Sequence, residues 1–505
     1  MTTDQNSSLR PLASIAALAL LLGPWTSIRA QQPADQGLSS SAPQPNRSQP
    51  DCSFVTTAHQ ASKCIGATHA NGPIPKIDPE HEYTLPELID IAESANPETR
   101  IAWAQAKRSM EASGVTRAEY LPLLTLVGTG SDNRFIFPFP KPIAPRGYVT
   151  AEEPTADAQV QLQYTLLDFG RGARLKGSKA LEIAATLRMG RMHQQVAFTT
   201  ATDFYRVQEV EGQLEAAKAV LQTAQTLYSN AQSQFDNGRA TLPDVQNAEA
   251  GAAEAQYELA DAEGAVKKAK LALTETIGVE PSDEIEVSRA DNMRPDAEAT
   301  SVEDLVHQAW ASRPDLLAKV QDYEHAKQEV KSAHSAYLPT VKLNGSGGQT
   351  NMWPTADWGQ LGPANVSTWA ASAQLRWDIF NGARKHQLEA AKAEQQSAAE
   401  EQRATQDAVT RQVWDSYVEY ETALEQERAA QTYLNSAQTS YDSSLDAFKY
   451  GVRSLVDVVQ SERLLAQARF ATVRARSRRQ QSAASLSYAV GNSSATSAIA
   501  AGARP

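Results

Sequence analysis

The chain has 505 residues and a formal net charge of −12, with 41% apolar but only 7% aromatic residues. The acidic balance argues against nucleic acid as a partner, because phosphate binding needs clustered Lys and Arg. Long stretches rich in Ala, Gln, Glu and Ser indicate exposed helices rather than one thick globular core, either in several ordinary domains or in one elongated repeat architecture.

The N-terminus has the pattern of a secretory signal peptide. Arg10 precedes an apolar run from Pro11 to Trp25, and Ala30 is a small residue at the expected cleavage point. The run is shorter than the ~20 residues that a spanning helix needs. We therefore favour a removed signal at 1–30 over the alternative, a membrane anchor.

The segment 31–82 is rich in Pro, Ser and Gln, and its composition is that of a poorly ordered lead-in. It contains both cysteines, Cys52 and Cys64, with His59 and His69 nearby. Their spacing matches no standard zinc pattern. We expect a disulfide or unpaired thiols there rather than a metal site, and we expect no cofactor.

The remainder of the chain is a tandem duplication. The phrase Tyr-Leu-Pro starts at Tyr120 and again at Tyr337, 217 positions later. Further on, LLDFGR from Leu166 matches IFNGAR from Ile379, so the offset becomes 213 and then persists. A register held over so many positions indicates two repeats. We place the repeats at 83–290 and 300–490, with a flexible tail at 491–505.

Each repeat carries one predicted β-hairpin, at about 121–168 and about 338–380. Apolar and polar residues alternate there with period two, which is typical of strands with one apolar face. Such a face fits a soluble sandwich or a membrane barrel, and aromatic residues near the strand ends favour the barrel. The apolar positions are Val160, Leu162, Tyr164 and Leu166 in the first repeat and Trp369, Ala371, Ala373, Leu375 and Trp377 in the second.

A very long helix follows each β-hairpin. Apolar and small residues recur there in steps of three and four, the heptad pattern of coiled-coil packing. A helix of roughly 65 residues is about 100 Å long, and each is followed by a returning helix. The predicted helical hairpins cover about 170–277 and about 382–488. Their seams run from Val207 to Phe235 and from Tyr420 to Phe448.

Four strands cannot close a membrane barrel. The known minimum is ~8 strands, and at that size side chains fill the interior. Two copies of the chain would leave little or no channel, whereas three copies supply enough strands for an opening. A conduit therefore requires at least three subunits.

This layout resembles the TolC family of outer-membrane efflux proteins. The resemblance rests on the two Tyr-Leu-Pro strand starts, the Leu-Asp-Phe-Gly and Phe-Asn-Gly-Ala-Arg strand ends, and the loop motifs GRATLPDVQNAE and GVRSLVDVVQSE. It implies a mainly α protomer with membrane β-strands. It also implies a homotrimer whose twelve-stranded β-barrel in the outer membrane continues into a twelve-helix barrel in the periplasm.

The resemblance also implies a gate at the periplasmic tip. Asp244 matches the acidic residue of the first tip loop, Arg453 the basic residue of an intersubunit ion pair, and Asp457 the first aspartate of an acidic ring. Two positions depart from the family pattern, because Gln460 replaces the second ring aspartate and Phe448 replaces a tyrosine. The departures predict weaker cation affinity at the pore mouth and altered latch strength.

The same tips are the expected docking site for an adaptor protein. The residues concerned are Gly238, Arg239, Gly451, Val452 and Arg453. The simpler alternative is that the glycines only terminate helices and that the charges are solvated groups of small energetic effect.

The predicted function is an exit duct in the outer membrane for a tripartite efflux pump or type I secretion system. The implied partners are membrane lipid, a periplasmic adaptor and an inner-membrane pump of RND, ABC or MFS type. The alternative is an exported coiled-coil scaffold without channel activity. No nucleophile–base arrangement or phosphate loop stands out, so we do not expect an enzyme.

Overall fold

The computed structural model describes residues 76–141, 144–288, 301–450 and 452–492. The predicted signal peptide, both cysteines, Gly451 and most of the lead-in and tail lie outside the described residues. The chain is mainly helical and contains one large antiparallel sheet. Among the described residues, no helix has both the length and the apolarity needed to cross a membrane.

The two repeats have the same order of helices and long strands. The first contains β1 (Glu82–Tyr83), α1 (Leu85–Ala95), α2 (Pro97–Ala118), β2 (Leu123–Pro138), β3 (Tyr148–Leu167), α3 (Arg171–Asp236), α4 (Leu242–Thr276) and β4 (Glu286–Val287). The second contains α5 (Val302–Ser312), α6 (Pro314–Ser335), β5 (Thr340–Met352), β6 (Thr355–Ala356), β7 (Gly359–Gln360), β8 (Ala364–Arg376), α7 (Ala383–Lys449) and α8 (Leu455–Val490). The short strands β1, β4, β6 and β7 are additions to the predicted elements.

Local capping explains where the short helices begin. The Thr84 backbone N–H and hydroxyl donate to Glu87 Oε2 at 2.8 and 2.9 Å, a capping box that starts α1. At the corresponding place in the second repeat, Ser301 Oγ accepts from the Asp304 N–H at 3.2 Å and starts α5. Both repeats therefore use the same local signal to enter their first helix.

The four long strands form an antiparallel sheet in the order β2-β3-β5-β8. The register puts apolar and polar residues on opposite faces, which confirms the predicted alternation. The apolar face carries Leu124, Leu126, Val160, Leu162, Leu343, Trp369 and Leu375. The polar face carries Thr125, Gln161, Gln163, Lys342, Asn344 and Gln374.

The predicted alternation is wrong at one end of β3. The register with β5 shifts between Thr165 and Leu167, so Leu167 lies opposite Val341 and Leu166 is left over. An extra residue of this kind moves all later side chains to the other face of the sheet. Trp377 lies just beyond β8, and its indole N–H donates to the Tyr337 carbonyl oxygen at 3.2 Å.

The long helices α3 and α7 have 66 and 67 residues and pack against their returning helices α4 and α8. Seam positions seven residues apart are buried, among them Val210, Ala217, Ala224 and Ala231 on α3. The intervening seam positions are less buried, and Phe235 at the end of α3 is exposed. Small side chains at the buried positions let the backbones approach closely, as the heptad pattern predicts.

The two short helices α1 and α5 each cover part of a long helix. Leu88 and Ile89 of α1 join Phe204 and Val207 of α3 in one buried apolar cluster. In the second repeat, Val302 and Val306 of α5 join Val409 and Val413 of α7 in another buried cluster. These clusters place the main apolar cores midway along the long helices, between the sheet and the helical tips.

A glycine follows each returning helix and packs against the junction between the two short helices of the same repeat. Gly278 follows α4 with φ +74°, and Gly491 follows α8 with φ +84°. Asn96 Nδ2 donates to the Thr276 carbonyl oxygen at 2.7 Å, and Arg313 Nη1 donates to the Ala489 carbonyl oxygen at 3.1 Å. These side chains satisfy carbonyl groups that a helix end leaves without partners.

Candidate functional site

The helical tips are two turns that share one closing hydrogen bond. After α3, the Gly238 N–H donates to the Phe235 carbonyl at 2.8 Å and the Arg239 N–H to the Gln234 carbonyl at 2.8 Å. Gly238 has φ +70°, so these bonds form a Schellman motif. After α7, the Val452 N–H makes the equivalent bond to the Ala447 carbonyl at 2.9 Å. The predicted docking glycine Gly238 therefore has a clear structural role.

Both tip aspartates belong to capping boxes. Asp244 Oδ2 accepts from the Thr241 N–H at 2.9 Å and from the Thr241 hydroxyl at 2.6 Å. Asp457 Oδ2 accepts from the Ser454 N–H at 3.1 Å and from the Ser454 hydroxyl at 2.8 Å. These bonds favour the ionised form and lower the pKa of both carboxyl groups. Each carboxylate thus starts a helix and stays charged.

The other predicted gate residues are placed around this turn. Arg453 Nη1 donates to Ser444 Oγ at 3.2 Å, which links the turn back to α7. Gln460 is exposed one turn after Asp457. Phe448 is half-buried and packs with Leu455 and Val458 in the apolar cluster at the tip.

That tip cluster joins the two helical hairpins. Leu227 and Ala231 of α3, Ala248 of α4, and Leu455 and Val458 of α8 form its buried part. Beyond it, Tyr450 and Val452 are 85% and 78% exposed. The protomer therefore holds its two tips together and leaves an apolar surface at the end of the second tip.

A buried glutamate near the tip was missed by the sequence analysis. Glu462 of α8 is 8% exposed and lies near Glu254 and Glu258 of α4. Burial raises its pKa to about 7, and Arg463 and Arg469 oppose that rise. A signal was available, because Glu462 follows Leu455 and Val458 at the spacing of buried positions on α8.

The Glu462 carboxyl group should make stability depend on pH. Its pKa rises from 4.5 to about 7 on folding. A raised acid pKa gives stability that is complete below pH 4.5 and is lost as the pH rises through about 7, amounting to ~3 kcal/mol. The change Glu462→Gln should flatten this decline and raise the midpoint of urea unfolding at pH 8, followed by far-UV circular dichroism.

The exposed residue Glu263 of α4 provides the matched control for this change. The change Glu263→Gln removes the same charge from the surface and should leave the pH profile of wild type. Equal profiles for Glu462→Gln and wild type would contradict the assignment.

Within the described residues, no group of three or more His, Cys, Asp and Glu side chains could hold a metal ion. The tips offer charged groups at Asp244, Arg453 and Asp457 and an exposed apolar surface at Tyr450 and Val452.

Known proteins are similar to this chain over most of its length. The family model "Outer membrane efflux protein" matches residues 88–279 and 305–492. Protein CyaE of Bordetella pertussis is 26% identical over 403 residues, which cover 77% of this chain and 80% of CyaE. The probable efflux pump outer membrane protein TtgC of Pseudomonas putida is 22% identical over 397 residues, covering 78% and 80%.

The fold has close counterparts among solved structures. The CmeC outer membrane channel of Campylobacter jejuni superposes with a TM-score of 0.69 at 16% identity, covering 84% of this chain and 90% of that one. At this identity the likeness concerns the fold alone.

Proposed function

The chain belongs to the outer membrane efflux protein family, and from that premise we propose that three copies form one continuous tube. The chain is an outer-membrane channel protein and not an enzyme. In the proposed trimer, twelve strands close a barrel in the membrane and twelve long helical segments close a tunnel below it. The repeats at 83–290 and 300–490 are its building units, and the tube is the exit duct of an efflux pump or type I secretion system.

The observation that carries this proposal is the pair of open sheet edges. Within the part of the chain that the structure describes, strands β2 and β8 each pair on one side only. Because successive strands are antiparallel, β8 of one copy can pair with β2 of the next copy without interrupting the alternation of strand directions. An unpaired edge of this length invites such pairing, and closure of the ring removes every edge.

The two faces of the sheet support the same arrangement. On the apolar face Leu126 is 76% exposed and Trp369 is 83% exposed, which suits contact with lipid. The opposite face is concave, with a hollow of about 310 Å³ lined by Gln161, Gln163 and Asn344, among others. That polar face suits a water-filled bore.

The experiment that tests the function is reconstitution of the full chain. We expect a trimer in mild detergent by light scattering and discrete conductance steps in planar bilayers. A monomer without conductance, together with a soluble periplasmic pool in fractionated cells, would favour the scaffold alternative.

We place the gate of this duct at Asp244, Phe448, Arg453, Asp457 and Gln460. Around a threefold axis, the ionised Asp457 carboxylates would form a ring that favours cations. The Arg453 guanidinium, which reaches Ser444 in the protomer, is close to the subunit end and would pair with a carboxylate of the neighbouring copy. Breaking such a pair as the helices move outward gives a two-state opening.

Variants at Asp457 separate charge from helix capping. The change Asp457→Asn should lower the cation-to-anion permeability ratio by about twofold to fivefold, because the ring loses its charge. The change Asp457→Glu keeps both the charge and a capping-box acceptor, and should retain selectivity. Reversal potentials in a salt gradient measure both, and equal ratios in the two variants would remove Asp457 from the gate.

The proposed latch at Arg453 has a separate test. The change Arg453→Ala should loosen the tip and raise single-channel conductance. An unchanged conductance would contradict the latch.

The tips also form the proposed contact surface for the adaptor that couples the duct to an inner-membrane pump. This surface consists of the exposed residues Gly238, Arg239, Val452 and Arg453, together with Gly451.

A further inference from the structure

A groove on the helical layer is lined by two arginines that have no partner among the described residues. It has a volume of about 400 Å³ and lies where α3, α7 and α8 meet. Arg474 and Arg478, one helical turn apart on α8, are exposed along it. Within the described residues, neither guanidinium takes part in an ion pair or a hydrogen bond. Their donors are therefore available to a ligand.

Two arginines and two glutamates line the groove, and unpaired positive charge exceeds unpaired negative charge there. Its acidic lining residues are Glu209 and Glu419. Glu209 is buried and already paired, with Arg206 Nη1 at 2.9 Å and the Ser477 hydroxyl at 3.4 Å from its Oε2. Glu419 alone remains against the two arginines. A chain with a net charge of −12 thus presents a locally positive surface here.

The rest of the lining suits an organic ligand. Thr202, Gln481 and Ser485 contribute hydroxyl and amide groups. Phe198 also lines the groove and stacks on Tyr488, with ring centroids 4.7 Å apart. The groove therefore combines cationic, polar and aromatic contacts, as ligand sites commonly do.

We propose that Arg474 and Arg478 form a binding site for carboxylate-bearing organic anions in this groove of the helical layer. A guanidinium fork matches a carboxylate in two parallel hydrogen bonds, and two such forks one turn apart can hold a molecule with more than one carboxylate. In the proposed trimer the threefold axis repeats the site three times, and exposed guanidinium groups can release their ligand again.

The test is titration of the detergent-purified full chain with citrate by isothermal titration calorimetry. Wild type should bind citrate, and the paired change Arg474→Gln and Arg478→Gln should weaken binding at least tenfold. Arg476 supplies the matched control, because it lies between the two in sequence but about 160° around the helix from each. The change Arg476→Gln removes one charge from the opposite face and should bind citrate as wild type does.

The outcomes separate this site from the function of the duct. Absent binding in wild type, or equal weakening by Arg476→Gln and by Arg474→Gln alone, overturns the site whatever the conductance. Citrate binding that depends on Arg474 and Arg478 supports the site. A chain that binds citrate but stays monomeric and forms no conducting pore would contradict the proposed duct and leave the binding site in place.

Discussion

Replacing Gly348 with alanine is expected to separate β5 from β3 and to abolish pore assembly. A Cβ atom at this position would lie 2.7 Å from Gln159 Cα, 2.8 Å from Gln159 Cγ and closer still to the Ala158 carbonyl oxygen. Two of these are backbone atoms of a paired strand, so they cannot move without opening the ladder. Overpacking of this kind costs about 1–3 kcal/mol and occasionally more. It falls where the sheet joins the two repeats.

The neighbouring residue provides a matched control for this change. A Cβ atom at Gly347 would meet nothing within 4 Å, so Gly347→Ala should assemble and conduct as wild type. The measurement is the yield of trimer from outer-membrane fractions, followed by conductance in bilayers. Equal trimer yields for the two variants would show that the strands do not approach as closely as the structure has them.

The change Gly278→Ala is expected to destabilise the first repeat more than the same change at another left-handed glycine. Gly278 has φ +74°, which costs a residue with a Cβ atom about 1 kcal/mol. The added atom would also lie 2.8 Å from Asn96 Cα and 2.9 Å from the Ala95 carbonyl group. This contact adds about 2 kcal/mol, because α1 cannot move away without losing its buried cluster with α3.

Gly238 separates the cost of backbone strain from the cost of the steric contact. It has φ +70°, but a Cβ atom there would meet nothing within 4 Å, so Gly238→Ala pays only the backbone strain. Urea unfolding monitored by far-UV circular dichroism compares the two variants. If Gly238→Ala lowers the midpoint as much as Gly278→Ala does, the close packing of Gly278 on Asn96 contributes nothing to stability.

Periodicity predicted the large elements of the fold well. The heptad seams from Val207 to Phe235 and from Tyr420 to Phe448 identified parts of α3 and α7, which have 66 and 67 residues. Alternation likewise identified the four long strands. The two-residue strands β1 and β4 could not be predicted, since they pair across about 200 residues of chain and two residues carry no period. The shift at Leu166 escaped for a similar reason, because a single inserted residue leaves no pattern in the sequence.

The place of the tip aspartates in the chain was easier to predict than their local hydrogen bonds. The resemblance located Asp244 and Asp457, and the structure adds that both carboxylates cap helices. The Thr-Leu-Pro-Asp and Ser-Leu-Val-Asp stretches carried that signal, with a hydroxyl residue three positions before an acid. The groove at Arg474 and Arg478 was hidden, because its lining comes from three helices far apart in sequence.

The unequal length of the two β-hairpins shapes the far end of the proposed tube. β2 and β3 have 16 and 20 residues, whereas β5 and β8 have 13 each. Three longer and three shorter β-hairpins would alternate around the cell-surface rim. The exposed Phe135, Ile136 and Phe137 crown the longer ones. A molecule that binds the rim from outside would therefore contact three protruding hairpins rather than six hairpins of equal height.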